Sequence, residues 1–324
     1  MIPSRETLVE AQRRTQFAAP QLEIVIRLRD LLQRMAVDRE LVDTLVLKGG
    51  TPLNLCFGVP PRLSVDLDFN YIGAADRAMM LKARPEIVAA LERVGRRAGY
   101  QVQRSPEDHA VQKFYFRYRS ALGSAARLQV DINFLFRTPV LAVQRLPVWS
   151  PLDEASFETS VVATGELMAG KMLALIDRSA PRDLFDVARY ATRTSLPALG
   201  SRDRLVFIAL SGVLNQALTN YTIERVQRVT DDAIETQLYP FLQGHDRPAA
   251  KDLWASAAPL VSRWLSLEEH EREYTVRLQR GELQPELLFP DDEQLAATLR
   301  AHPVLRWKAQ NAREHASRAR NRSR

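Results

Sequence analysis

The stretch LVLKGGTPLNLCFGVPPRLSVDLDF, residues 45–69, decides the reading of this 324-residue chain. A short apolar strand over 44–50 ends in Gly49 and Gly50, and TPLNLCFG then has the form of a short helix. Pro52 falls in its first turn and Gly58 at its end. A second strand, SVDLDFNYI (64–72), carries Asp66 and Asp68. Residues i and i+2 of a strand share a face, so these two carboxylates point the same way, a few ångströms apart. Like charges so placed repel, and burial raises the cost unless a cation or protons compensate. Mg²⁺ is the natural compensation, because it takes oxygen ligands and keeps waters and substrate phosphates, with Mn²⁺ the alternative ion. Asp131, in LQVDINF, is a third aspartate in an apolar strand. If that strand neighbours 64–72 in register, three carboxylates converge. Such a trio can hold two metal ions about 4 Å apart, one at the attacking oxygen and one at the leaving phosphate.

The glycine turn fits the same chemistry. With no Cβ, the backbone at Gly49 and Gly50 can approach a polyphosphate, and amides at a following helix start favour anions. Thr51 is placed to cap that helix or to touch a phosphate. A plain tight turn has the same appearance, and a lone D-x-D is equally unspecific. Their order and spacing, with a later strand aspartate, are the stronger signal.

Working outward, 5–14 and 21–36 have helical periodicity, and a helix over about 80–98 closes at Gly99. Strands follow at YQVQR, QKFYFRYR and ARLQVDINFLF, giving an α+β mixed sheet with flanking helices over residues 1–150. From about 155 the pattern becomes helical: 165–178, 181–194, 201–218, 222–236, 249–266 and 291–300. These form a second, all-helical region over 151–305. The formal charge is +6, and residues 303–324 carry all of that excess, with seven basic residues against Glu314. The segment 306–324 is therefore expected as a flexible basic tail, suited either to a polyanion or to solvent. Cys56 is the lone cysteine, consistent with a reducing cytoplasm and with a core position. No apolar run approaches the roughly 20 residues that span a bilayer, so no membrane association is expected. The five histidines lack ligand spacing, which argues against zinc.

KGGTPLNL, RLSVDLDF, VDI and KMLALIDRSAPRDLFDVARY, in this order, resemble the AbiEii-type (MenT-like) nucleotidyltransferase toxins. That family lies within the DNA-polymerase-β-like nucleotidyltransferase superfamily. The resemblance covers about 45–190 and implies a polymerase-β-like core with a helical half that completes the nucleotide site. It implies that Gly49, Gly50 and Ser64 contact the nucleotide phosphates and that Asp66 and Asp68 bind metal. Asp131 would be the third carboxylate and would deprotonate the acceptor. Lys171 matches the lysine that faces the nucleotide, and Asp183 and Asp186 match the acids of the RD-x-x-D segment, Asp186 being the favoured functional one. The substrates implied are an NTP and an RNA, the tRNA 3′ end, with translation blocked and an antitoxin protein as partner. A protein or small-molecule acceptor, and a non-catalytic nucleotide- or RNA-binding regulator, are the alternatives. The threonine and proline after the glycines, and Pro181 before Arg182, depart from the family pattern.

Several residues carry two readings. Lys171, Arg178 and Arg182, spaced by seven and four, would share one face of a continuous helix and call for an anion such as a triphosphate. Arg178 and Arg182 could instead pair with Asp177, Asp183 or Asp186, and Asp183 could simply stabilise a helix start. Arg62 could steer a triphosphate or pair with an acid. The aromatics of FYFRY (114–118) could stack on bases or fill the sheet core.

Overall fold

The computed structural model describes residues 2–106, 108–152, 154–193 and 196–322. The side chains of Arg318, Arg320 and Arg322, and all of Arg324, which belong to the expected basic tail, lie outside that description. The chain forms two compact units. The first comprises residues 1–163 and 235–247, the second 164–234 and 248–324.

In the first unit the elements run α1 (Arg5–Thr15), α2 (Ala19–Met35), β1 (Leu45–Lys48), α3 (Gly50–Leu55), β2 (Asp66–Tyr71) and α4 (Arg77–Arg97). Five strands follow: β3 (Gln101–Arg104), β4 (Val111–Arg119), β5 (Ala125–Asn133), β6 (Gln144–Pro147) and β7 (Glu158–Val161). The seven strands make one mixed sheet in the order β3-β4-β5-β2-β1-β7-β6. Alternation sorts its residues. Leu47, Leu67, Phe69, Phe114, Phe116, Leu128, Val130 and Ile132 are buried on one face, and the other carries mostly polar residues, with the buried Val46 beside Asn70 an exception. Gly95 of α4 is explained by this packing: a Cβ there would stand 2.3 Å from the Phe116 ring, so only glycine lets the helix seat on the sheet.

Strands β6 and β7 were not legible in the sequence, being short and lacking apolar alternation. They carry the first unit to Ala163, beyond the boundary expected near 150. Residues 235–247 return to this unit through backbone bonds from Leu63 to Phe241 (2.8 Å) and from Gly244 to Gln16 (3.0 Å).

The second unit is helical: α5 (Thr164–Arg178), α6 (Pro181–Thr192), α7 (Ser201–Leu210), α8 (Ile223–Val226), α9 (Asp231–Gln237, whose last turn passes into the first unit), α10 (Ala250–Leu265), α11 (Glu269–Gln279), α12 (Glu293–Ala301) and α13 (Pro303–Arg322). The helix expected over 201–218 stops at Leu210, where Gly212 sits tight against Leu278 and Leu305. The helix expected over 222–236 is two short ones, α8 and α9. The segment expected as a flexible tail is helix as far as Arg322. No described helix is long and apolar enough to cross a membrane.

Candidate active site

The polar face of the sheet carries the carboxylates. β2 lies antiparallel to β1 and parallel to β5, with Asp68 paired to Lys48 on one side and to Asp131 on the other. Asp66, two residues earlier, stands on the same face beside Gln129. Parallel pairing of β2 with β5 is therefore what brings Asp66, Asp68 and Asp131 together. Asn70 continues the row. It is buried, and its side-chain oxygen has no hydrogen-bond partner among the described residues.

Electrostatics mark Asp131. Burial pushes its carboxyl above the usual carboxylate range, and the charges of Asp68 and Asp66 add to the shift. A hydrogen bond from Gln129 and the nearby Lys113 ammonium oppose it. Gln129 Nε2 donates to the carboxylate at 3.1 and 3.3 Å, and Lys113 Nζ lies 3.7 Å away. Among the described residues no three His, Cys, Asp or Glu side chains are closed into a metal-holding cluster. The three expected ligands thus share a face through the backbone, while the Asp131 carboxylate is engaged by Gln129 and Lys113. The donor set nonetheless suits a hard divalent cation: three carboxylates of like sign and a buried amide oxygen that accepts nothing from the described residues. Asp66 and Asp68 are the pair that would hold it.

The glycine turn is a matter of space. Gly49 has φ +77° and ψ −147°, a conformation nearly restricted to glycine, and a Cβ there would come 2.9 Å from Asp68 Oδ2. Gly50 opens α3. Thr51 neither caps α3 nor faces outward. Its buried hydroxyl donates to the Asp66 carbonyl and lies 2.9 Å from Ser64 Oγ, tying α3 to the start of β2. Ser64 is buried in that contact. Arg62 is also buried, with Nη1 donating to the Leu63 carbonyl at 2.9 Å, which places this arginine inside the unit. Cys56 is buried too, and burial pushes its thiol up to about 12, the behaviour of a core residue rather than a nucleophile.

In the second unit the helices expected over 165–178 and 181–194 are present and separate, so Lys171, Arg178 and Arg182 do not lie on one continuous helix. Ser179 takes a left-handed φ of +52°, and Pro181 starts α6 at a position where its missing N–H costs nothing. Arg182 therefore belongs to a different helix from Lys171. The turn instead folds α6 back on α5. Lys171 Nζ meets Asp183 Oδ1 at 2.9 Å and Asp186 Oδ2 at 2.8 Å, both acids projecting from one face of α6. Arg178 closes the cluster on Asp183 Oδ2 at 2.7 Å. Lys171, Asp183 and Asp186 are all buried. Burial alone would raise the Asp183 pKa, but Lys171 and Arg178 outweigh it and hold the carboxyl below its ordinary value. The Arg178–Asp183 pair is one of the pairings the sequence offered, whereas the approach of Lys171 to Asp183 and Asp186 depends on the angle of the turn at Ser179.

A mixed sheet with D-x-D opposite a third aspartate, followed by a helical region, is a nucleotidyltransferase architecture. The fold matches that of MenT4, a nucleotidyltransferase toxin from Mycobacterium tuberculosis, with a TM-score of 0.60 at 20% identity. The match covers 94% of this chain and 99% of that one. JHP933 from Helicobacter pylori aligns with a TM-score of 0.48 at 15% identity, over 76% of this chain and 94% of that one. No curated protein matches by sequence. The family model for the nucleotidyl transferase AbiEii toxins of type IV toxin–antitoxin systems matches residues 30–259, and the chain belongs to that family.

Proposed function

We propose that this protein is the toxin of a toxin–antitoxin pair and transfers a nucleotide from an NTP to an RNA hydroxyl. The acceptor in this reading is the tRNA 3′ end, and its capping blocks translation in the cytoplasm until an antitoxin protein intervenes. The observation that carries the reading is the pairing of Asp68 with Asp131, with Asp66 on the same face and Gly49 leaving room beside Asp68. A divalent cation, Mg²⁺ or Mn²⁺, held by Asp66 and Asp68 would neutralise the triphosphate and the leaving pyrophosphate.

The chain's own residues do the remainder. The acceptor oxygen attacks the α-phosphorus, the bond from that phosphorus to the β-phosphate bridging oxygen breaks, and pyrophosphate leaves. Asp131 takes the hydroxyl proton. Gly49 and Gly50 let the phosphates approach the backbone. Catalysis in this scheme rests on positioning and charge neutralisation, with no covalent enzyme intermediate. Lys171 and Asp186 keep their expected roles at the nucleotide as part of the proposal, alongside the ion cluster they form with Asp183.

The test is incubation with Mg²⁺, each labelled NTP in turn and total RNA. Label in the tRNA fraction is the expected result. Label in protein bands or small molecules would move the acceptor to another class. No transfer from any nucleotide by the folded protein would overturn the reading.

A further inference from the structure

The carboxylate face of the sheet does not end at Asp131. Register continues it across β4 and β5, where Lys113 pairs with Asp131, Tyr115 with Gln129, and Arg117 with Arg127. The FYFRY segment is thereby divided. Phe114 and Phe116 are fully buried in the core, whereas Tyr115 and Arg117 stand on the face that carries the aspartates.

This extension is strongly and unusually cationic. Arg117 and Arg127 are direct cross-strand partners, and like charges so placed destabilise a ladder. Arg119 follows two residues on. All three are exposed and pair with no acid among the described residues, although arginines elsewhere in this unit find acids, as Arg27 does with Glu23 and Arg93 with Glu40. The Arg127 guanidinium lies 4.8 Å from the centroid of the Tyr115 ring, forming a flat cationic platform. The three arginines line an open groove of about 710 Å³ together with Gln101 and Ala125.

We propose that this strip is the track of a single-stranded RNA acceptor, with Tyr115 and Arg127 stacking a base and Arg117, Arg119 and Arg127 holding its phosphates. The proposal rests on the nucleotidyltransferase reading and adds the acceptor's path. Four residues of strand separate Asp131 from Arg127, about 14 Å, so a strand whose terminal hydroxyl reaches Asp131 passes over Tyr115 and then the arginines. Phosphates supply the anions that the cross-strand arginine pair lacks. Stacking on Tyr115 requires an unpaired base, which selects a single strand over a duplex.

Binding can be measured without nucleotide or metal, by anisotropy of a short fluorescein-labelled single-stranded RNA. Arg117→Ala combined with Arg127→Ala should weaken binding about tenfold or more and reduce the slope of log K against log salt by about 1.4, roughly 0.7 per lost phosphate contact. Tyr115→Ala should weaken it about tenfold, while Tyr115→Phe should bind like the parent. In the transfer assay the double variant should raise KM for RNA and leave KM for NTP unchanged. Parental affinity in the double variant, failure of the parent to bind at low salt, or duplex binding as tight as single-strand binding would each overturn the proposal. The two readings fail separately. RNA bound through these arginines without transfer defeats the nucleotidyltransferase reading alone. Transfer to RNA with unchanged KM in the double variant defeats the track alone.

Discussion

Two clusters of aspartate in this protein contrast sharply. On the sheet of the first unit, Asp66, Asp68 and Asp131 share a face, and Asp131 accepts a hydrogen bond from Gln129 and lies 3.7 Å from the Lys113 ammonium. In the second unit, Asp183 and Asp186 close on Lys171, and Arg178 completes the balance. The first arrangement pushes a carboxyl up, the second holds one down. The same side chain thus stores electrostatic cost in one place and removes it in the other. Accumulated like charge is a condition that a cation or a proton relieves, whereas the opposite charges of the second cluster already balance one another.

The largest expected effect tests the cluster on the sheet. Asp66→Asn keeps the shape and removes one charge. Nucleotide transfer should fall by about 10²-fold or more, while the melting temperature stays level or rises because repulsion is reduced. A large loss of stability would make the two clusters alike and break the contrast.

The compensated cluster should answer in the opposite way. Asp183→Asn leaves Lys171 with Asp186 as its one buried acid in the cluster and takes the counter-charge from the more exposed Arg178, and unfolding free energy should drop by about 1–3 kcal/mol. The pH dependence has a defined sign. A carboxyl held low in the folded state contributes fully above its unfolded value near about 3.9, and that contribution is lost as pH falls through the lower folded value. Urea unfolding followed by far-UV circular dichroism should show wild-type stability declining over that acid window. The variant should show a flatter curve there. An unchanged profile would assign the acid sensitivity to other groups.

The smallest effect sharpens the picture at the turn. Gly49→Ala forces a non-glycine residue into φ +77° and its Cβ against the Asp68 carboxylate. A stability cost of about 1–3 kcal/mol is expected in thermal or chemical unfolding, with weaker transfer as Asp68 is displaced.

Much of this was legible before any coordinates, for a local reason. Strand and helix periodicities are properties of neighbouring residues, so the shared face of Asp66 and Asp68, the glycine turn and most helices could be read from the chain. Strands β6 and β7 escaped notice because four-residue strands without alternation carry no periodic signal. Helix α11, rich in charge, escaped for a similar reason, since Tyr274 and Leu278 provide little apolar stripe. The burial of Arg62 and Thr51 could not be read from the sequence, because burial is not visible in a short polar motif.

The residue types, their spacing and their two-residue alternation were enough to place two acids on one side of a strand and a permissive turn ahead of them. Pairing between distant segments was not contained in that spacing. Folding placed β5 beside β2, Asp131 opposite Asp68 and Arg117 opposite Arg127, and bent α6 back so that Lys171 met two acids. Local geometry sets which way a side chain points. Only packing of the whole core chooses its neighbour, because that choice depends on burying the far side of every strand at once.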